Sequence, residues 1–431
     1  MNIYLFILQE FLLIIKSFFF IFFMKVFNKN TYLPFLFSFF NDFLFYYSFY
    51  ITFFSKNGFS GGNLALLLIV MNISKMMADI PVGLLSDRIS RRNILIIGLL
   101  CRFLFCILCL SYCNFLGFVV AMIFVGIGNS CLWTHTWNYF YDYLKEKRSE
   151  KIFSRFMGTF YAISNIAIAF AAFSGEKIYS NYSFNGVFVG SIVSLIISCI
   201  IMLNLPNYKP KKTLKTATNI KISNPLHFIA LLNALLKKPQ MVRMLLFTIL
   251  MDTMFIVFLD MNTTIMNNAG MNAENISKIV GCVAFIRIFS NYFSGFTEKL
   301  MSFKKMNSLL LVLICVSICI SCINSQWMIL SVSLYLCIYP FFDTSIKTKI
   351  EHRIDSNTRA TILSLASLFV SIFAIIFNLI IGIVAEQSGY FASPICIFLI
   401  ILIILFIIRN ITKFYRIDLF IRRFFAKLAS K

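Results

Sequence analysis

Charged residues are scarce in this chain, and acidic residues are the scarcer sign. Only 13% of the 431 residues are charged, with 17 Asp and Glu against 39 Lys and Arg. There are three histidines and three tryptophans, whereas hydrophobic residues make up 60% of the chain. Soluble domains carry about 25% charged residues. The composition therefore excludes a soluble globular protein and predicts a polytopic membrane protein.

Motifs for catalysis and metal binding are also missing. The sequence has no nucleotide-binding loop, nucleophile elbow or zinc-protease motif. The 12 cysteines lie mostly singly within apolar runs, where they pack as small apolar side chains, and no Cys/His spacing indicates a metal site. Positive charge is spread over short segments between apolar runs, unlike a nucleic-acid surface. We therefore expect no enzyme, cofactor, metal or nucleic-acid partner.

What the chain has in abundance is long apolar runs. Because a membrane-spanning helix needs about 20 apolar residues, these runs predict an all-α protein with twelve spans. They lie near 31–54, 63–85, 93–112, 116–141, 156–174, 185–205, 243–266, 276–295, 307–323, 327–346, 360–385 and 391–408. Most Lys and Arg fall in connections on one side, which the positive-inside rule assigns to the cytoplasm with both termini.

The segments outside these spans are the middle and the two ends. Residues 206–242 hold seven lysines and no acid, which predicts a cytoplasmic linker lying on anionic lipid. Residues 409–431 predict a similar basic tail. The apolar residues 1–30 fit an interfacial helix, an extra span or a start codon placed too early, and we favour the last, with Met24 as the true start. A cleaved signal peptide fits less well, because a basic n-region is missing.

An internal repeat relates the two sets of six spans. An offset of 212 residues takes Gly58 to Gly270, Lys75 to Arg287, Asp79 to Asn291 and Gly83 to Gly295. Parallel repeats of this kind predict two pseudo-symmetric six-helix bundles, residues 31–205 and 243–408, joined by the linker.

The stretch from Gly83 to Arg92 (GLLSDRISRR) concentrates charge between two apolar runs. It resembles the loop 2–3 signature of the major facilitator superfamily, with Ser90 where the family usually has glycine. Residues 79–81, 141–146 and 358–364 are similar to motifs of one bacterial branch of that family. The resemblance implies a monomeric secondary transporter of the bacterial inner membrane, which binds a small solute between its bundles. The arginine of proton antiporters and the glycine-proline bend of drug antiporters are missing from the fourth and fifth spans.

The same stretch predicts a cytoplasmic gate. Gly83 would allow close backbone approach, and Asp87 would meet the start of the eleventh span in the outward-facing state, where the helix dipole favours an anion. The predicted gating residues are Gly83, Asp87, Arg88, Arg91, Arg92 and Arg359.

Ionisable residues at membrane depth are the candidates for solute and proton binding. Placing each of them in the bilayer costs about 2.5–3.5 kcal/mol, so each needs a structural or functional reason. Lys75 and Arg287 are related by the repeat and predict an anionic or zwitterionic solute. The predicted substrate-binding residues are Lys75, Arg287, His135, Trp137 and Asp260. Burial and neighbouring cations shift the pKa of a carboxyl group in opposite directions, so the predicted proton-coupling residues are Asp42, Asp252 and Asp79.

Other readings stay open. The charges also fit structural ion pairs, namely Lys75–Asp79, Asp79–Arg102 and Asp252–Arg287. The aromatic residues fit efflux of an amphipathic, drug-like compound instead of an organic anion. A scaffold or sensor that has lost transport is a further alternative, and the outer connections are too short for a membrane enzyme's site.

Overall fold

The computed structural model describes residues 32–59, 62–86, 89–111, 114–149, 152–208, 239–321, 325–351, 359–388 and 395–401. Within these ranges the chain is helical and contains no strand. The helices are α1 (Tyr32–Asp42), a 3-10 turn (Phe45–Ser48), α2 (Tyr50–Lys56), α3 (Gly62–Ser86), α4 (Arg91–Ser111), α5 (Phe115–Glu146), α6 (Phe153–Asn204), α7 (Pro239–Asn268), α8 (Ala273–Leu300), α9 (Phe303–Ser321), α10 (Ser325–Glu351) and α11 (Arg359–Ser388). Most of the predicted linker, the tail and the amino-terminal extension lie outside the described residues.

Eight described helices are long and apolar enough to cross a membrane, and α9 is a shorter apolar helix. Helix α6 contains both the fifth and the sixth predicted spans, because the chain turns at Ser183, whose φ of 55° interrupts the helix. The twelfth predicted span is described only over residues 395–401. The all-α prediction is confirmed, while the described residues do not give the full count of twelve.

The first predicted span is wrong as a continuous helix, because it breaks after Asp42. At such a break, backbone groups lose their helical partners and need others inside the membrane. Two serines of α6 supply them. The amide of Tyr46 donates to the hydroxyl of Ser191 at 3.1 Å, and the hydroxyl of Ser194 donates to the carbonyl of Phe40 at 3.0 Å. The break is therefore held by a helix distant in sequence.

Two separate apolar cores divide the helices into bundles. One core is built almost wholly from α1 to α6, and the other from α7 to α11 with residues 395–401. We call the end that carries Arg91 and Lys145 the basic end, and the end that carries Lys56 and Ala273 the distal end. Helix α3 packs against α11, and α6 packs against α8. These two helix pairs form the main contact between the bundles.

The internal repeat is visible in the backbone at the distal end. Gly58 and Gly270, which follow α2 and α7, both have a positive φ, of 88° and 76°. In each case the next residue bonds back five positions, from Phe59 to Phe54 and from Met271 to Met266, both at 3.2 Å. This is the same helix-ending motif in both bundles. The repeat read from the sequence is therefore present in the fold.

Helices α3 and α5 cross closely at Gly126, and this crossing fixes the position of Lys75 along the membrane normal. A Cβ at Gly126 would lie 2.8 Å from the Cβ of Ser74 and 3.0 Å from the amide nitrogen of Lys75. Since backbone cannot yield easily, we expect Gly126→Ala to lower the free energy of unfolding by about 1–3 kcal/mol. Chemical unfolding followed by tryptophan fluorescence measures this.

Gly83→Ala is the matched control. No described atom lies within 4 Å of a Cβ added at Gly83, so its expected effect is small or slightly stabilising. Equal losses in the two variants would contradict the close crossing. The close backbone approach predicted for Gly83 stays a prediction, because residues 87 and 88 of the same stretch lie outside the described residues.

Candidate solute and proton site

Four side chains of the second bundle form a cluster at the bundle interface, which we call the lysine–carboxylate cluster: Asp252, Tyr339, Asp343 and Lys347. The ammonium of Lys347 lies 2.8 Å from Asp343 and 3.3 Å from Asp252. The hydroxyl of Tyr339 donates to Asp252 at 2.5 Å and also lies 3.2 Å from Asp343. One cation thus serves two carboxylates. The charges of Lys347 and Asp343 also act on Tyr161 of the first bundle.

Tyr50 and Asp260 join the two bundles on the distal side of this cluster. The hydroxyl of Tyr50, in α2, donates to Asp260, in α7, at 2.9 Å. Nearer the distal end, Ser277 donates to the carbonyl of Ala172 at 2.6 Å. These bonds hold the bundles together at that end.

Removing the Tyr50 hydroxyl should loosen this closure. A hydrogen bond to a charged group contributes about 1.5–3 kcal/mol, so we expect Tyr50→Phe to raise the population open at the distal end about tenfold or more. Double electron–electron resonance would measure the distance between spin labels at residues 56 and 268, in a cysteine-free background. A longer distance would report the opening. Tyr182→Phe is the control, because Tyr182 is 70% exposed. An unchanged distance distribution in Tyr50→Phe would argue against the closure.

Lys75 extends from α3 without a salt bridge. Its ammonium lies 5.4 Å from the ring centroid of Trp133, and no carboxylate of the described residues lies within 4 Å of it. Its charge nevertheless interacts with Asp79 of its own helix and with Asp252 and Asp260 of the second bundle. The charge of Lys75 thus reaches carboxylates of both bundles, and its role in substrate binding stays a prediction. The predicted Lys75–Asp79 ion pair is wrong.

Arg287 occupies the related place in the second bundle. Its guanidinium carbon lies 5.1 Å from the ring centroid of Phe255, and its buried Nε has no hydrogen-bond partner. No described carboxylate forms a salt bridge with it. The predicted Asp252–Arg287 pair is wrong because Lys347 is the cation beside Asp252. The charge of Arg287 instead interacts with Asp42 of the first bundle.

Asp42 lies in a buried network around Arg102. The guanidinium of Arg102 is 3.7 Å from Asp42 and donates to the carbonyl of Asn41 at 3.3 Å and to Asn129 at 3.1 Å. Ser164 donates to the other oxygen of Asp42 at 2.6 Å. Since Asn41 and Asp42 end α1, this network holds the helix break. Asp42 is thus a carboxylate already supplied with a cation and donors.

Asp79 has a different neighbour from the one expected. One of its oxygens accepts a hydrogen bond from Ser130 of α5 at 2.5 Å, and the other is buried with no partner. The predicted Asp79–Arg102 pair is wrong, because Arg102 reaches Asp42 instead.

The aromatic and histidine candidates on α5 face two directions. His135 is buried, and the charge that acts on it is Arg91, near the basic end. Trp137 stacks on Tyr161 with ring centroids 6.5 Å apart, which places it beside the side chain that senses the lysine–carboxylate cluster. The structure brings Trp137 close to the predicted site, and it does not bring His135 to the charges at the interface.

The predicted gate residues bond within the first bundle where they are described. Arg91 pairs with Asp142 and donates to the carbonyl of Asn138 at 3.0 Å. Arg92 donates to the carbonyls of Leu203 and Leu205. Asp87 and Arg88, and the side chain of Arg359, lie outside the described residues, so the gate stays a prediction.

Sequence reasoning missed Lys347, Tyr339 and Tyr50. Lys347 directly follows the apolar run 327–346, and this position predicts a residue outside the membrane span. The signal that could have found it is spacing: Tyr339, Asp343 and Lys347 recur every four residues and so lie on one helix face. Among the described residues, no group of three or more His, Cys, Asp or Glu side chains is placed to hold a metal.

Comparison with known proteins agrees with this architecture. Residues 31–377 match the family model of the Major Facilitator Superfamily. The uncharacterised transporter BU466 of Buchnera aphidicola subsp. Acyrthosiphon pisum (strain APS) is 24% identical over 328 residues, 71% of this chain and 77% of that protein. The nucleoside transporter NupG superposes with a TM-score of 0.62 at 14% identity, covering 89% of this chain and 99% of NupG. The D-xylose-proton symporter gives 0.63 at 11% identity, covering 86% and 94%. At these identities the likeness to the solved structures is one of fold.

Proposed function

Because this chain belongs to the major facilitator superfamily and is a secondary transporter, we propose that it couples solute movement to protons through the lysine–carboxylate cluster. The observation that carries the proposal is the sharing of Lys347 by Asp252 and Asp343 at 3.3 and 2.8 Å. With both carboxylates ionised the cluster has one net negative charge, and one proton neutralises it. A change in proton occupancy therefore changes the charge at the interface by one unit.

This charge lies where the bundles must separate for alternating access. The charges of Lys347 and Asp343 act on Tyr161 of α6, so a change in the cluster's charge would alter the electrostatic field at the first bundle. A neutral cluster is less costly to move through a low-dielectric interface than a charged one. Asp252 is thus our first choice among the predicted coupling residues. Asp42 is a weaker choice, because Arg102 and Ser164 already compensate it.

The basic end fits the cytoplasmic side of a bacterial inner membrane, because cytoplasmic loops carry the excess of Lys and Arg. Both termini would then be cytoplasmic. Modification of a cysteine introduced at Lys211 tests this orientation: labelling from outside the cell would contradict it.

Proteoliposomes loaded with a pH-sensitive dye test the coupling. Amino acids, organic acids, sugars, nucleosides and amphipathic cations would be added singly, and lumen pH and solute uptake measured together. We expect solute entry or exit to be accompanied by a pH change that is lost in Asp252→Asn. Glu274→Gln, a carboxylate in the first turn of α8, is the control. Solute transport with no pH change in the wild type would reject proton coupling.

One observation favours a second cargo. Trp133, beneath Lys75, is 51% exposed, and such an aromatic surface suits an amphipathic compound. Transport of the amphipathic cations alone, out of the panel above, would support drug efflux instead. Failure of every solute to move would favour the scaffold alternative.

A further inference from the structure

Several charged side chains of the described residues form salt bridges, whereas three at the bundle interface do not. Arg102 has Asp42, Lys347 has two carboxylates, and Lys278 lies 2.9 Å from Glu176. By contrast, no described residue of opposite charge lies within 4 Å of Lys75, Arg287 or Asp260. A charged side chain at membrane depth is costly unless a group in contact with it neutralises its charge. A site that keeps three of them fits a ligand that supplies the missing partners.

The unpaired charges are of both signs and come from both bundles. Lys75 belongs to the first bundle, while Asp260 and Arg287 belong to the second. The charges of Lys75 and Asp260 act on each other although they are not in contact. Among the described residues, the hydroxyl of Tyr50 is the one donor to the Asp260 carboxylate. The two cations each lie on an aromatic ring, Trp133 or Phe255. The interface thus offers positive charge, negative charge and apolar surface together.

We propose that the transported solute is a zwitterion, with its anionic group bound by Lys75 and Arg287 and its cationic group by Asp260. A ligand with only a negative charge would leave Asp260 without a partner. A ligand with only a positive charge would leave Lys75 and Arg287 without one. The inference rests on the proposed transport function but not on proton coupling. Because a carboxylate accepts several hydrogen bonds, an ammonium group could bind Asp260 beside the Tyr50 hydroxyl, which joins the bundles there.

Ligand-induced thermal stabilisation of the purified, full-length protein tests the charge pattern without any ion gradient. The probes are ω-amino acids from glycine to 6-aminohexanoate, each with the carboxylate and the amine of the same chain length, such as 4-aminobutyrate with butyrate and butylamine. We expect at least one zwitterion of the series to raise Tm. Its two singly charged analogues should need concentrations at least about tenfold higher to give the same rise. Equal stabilisation by a carboxylate or amine, or none by any zwitterion, would overturn the proposal.

Variants assign the two ends of the ligand. We expect Lys75→Gln and Asp260→Asn each to weaken zwitterion binding at least about tenfold, and Asp260→Asn to abolish the preference over the carboxylate analogue. Lys145→Gln removes an exposed lysine at the basic end and serves as the control. Should a variant fail to fold, the wild-type comparison of matched probes still decides. Zwitterion transport without a lumen pH change would reject proton coupling and leave the charge pattern of the ligand unaffected. The two proposals can therefore fail separately.

Discussion

Replacing Arg102 with methionine should lower the free energy of unfolding by about 3–5 kcal/mol, because removal of one partner leaves the other charge of a buried pair uncompensated. Arg102 is 5% exposed. Its loss would leave the Asp42 carboxylate without a cation. It would also remove the hydrogen-bond donors to the Asn41 carbonyl and to the Asn129 side chain. Since these groups hold the break after α1, we expect the first bundle to unfold at lower denaturant. Equilibrium unfolding in mixed micelles measures the change.

A second arginine–aspartate pair in the same bundle is the matched control. In the Arg91–Asp142 pair the side chains are 33% and 37% exposed, and exposed pairs contribute about 0–1 kcal/mol. Arg91→Met should therefore cost little. The double variant Arg102→Met/Asp42→Asn should recover part of the loss, because it removes the stranded charge. Equal destabilisation by the two single variants would show that burial is not what makes Arg102 important.

Replacing Lys347 with glutamine should strongly reduce transport. It leaves Asp252 and Asp343, which share that lysine, as two neighbouring carboxylates without a cation. These side chains are 20% and 26% exposed, so we expect a free-energy cost of about 1.5–3 kcal/mol, between that of an exposed pair and that of a fully buried one. This corresponds to a shift of about tenfold to 100-fold between conformations, and we expect solute exchange in proteoliposomes to fall by about that factor. The melting temperature without ligand separates this loss from misfolding.

A compensating substitution sharpens the test. Lys347→Gln/Asp252→Asn/Asp343→Asn removes all three charges and leaves the cluster neutral, as it is in the wild type after one proton has bound, so exchange between equal solute pools should recover. Accumulation driven by a pH gradient should not recover, since neither carboxylate is left to take up the proton. Recovery of both activities would show that the cluster is structural and carries no proton.

The helices and their grouping could be predicted from the sequence, because apolar runs and a residue-by-residue repeat are local properties. The offset that relates Gly58 to Gly270 describes an identical helix ending in both bundles. The break after Asp42 could not be predicted, because the stretch 35–57 contains neither glycine nor proline. Its cause lies in serines of α6 that replace the lost backbone bonds.

The ion pairs were the least predictable feature of the site. Depth along a helix can be read by counting residues, but the facing direction of each helix depends on packing. Counting placed Asp79 and Arg102 at matching depths, yet Arg102 turns toward Asp42 and Asp79 toward Ser130. Lys347 was missed because its stem extends from the edge of α10 toward the two carboxylates. Pairing therefore needed the three-dimensional structure.

The broken first span also constrains how the protein is made. Helix α1 has 11 residues, about 16 Å at about 1.5 Å per residue, against a hydrocarbon core of about 30 Å. Its amide partner Ser191 follows Tyr46 by 145 residues, and so leaves the ribosome only after four further predicted spans. The bonds that close the break are therefore available only once α6 has been made. We expect the amino-terminal bundle to mature as one unit.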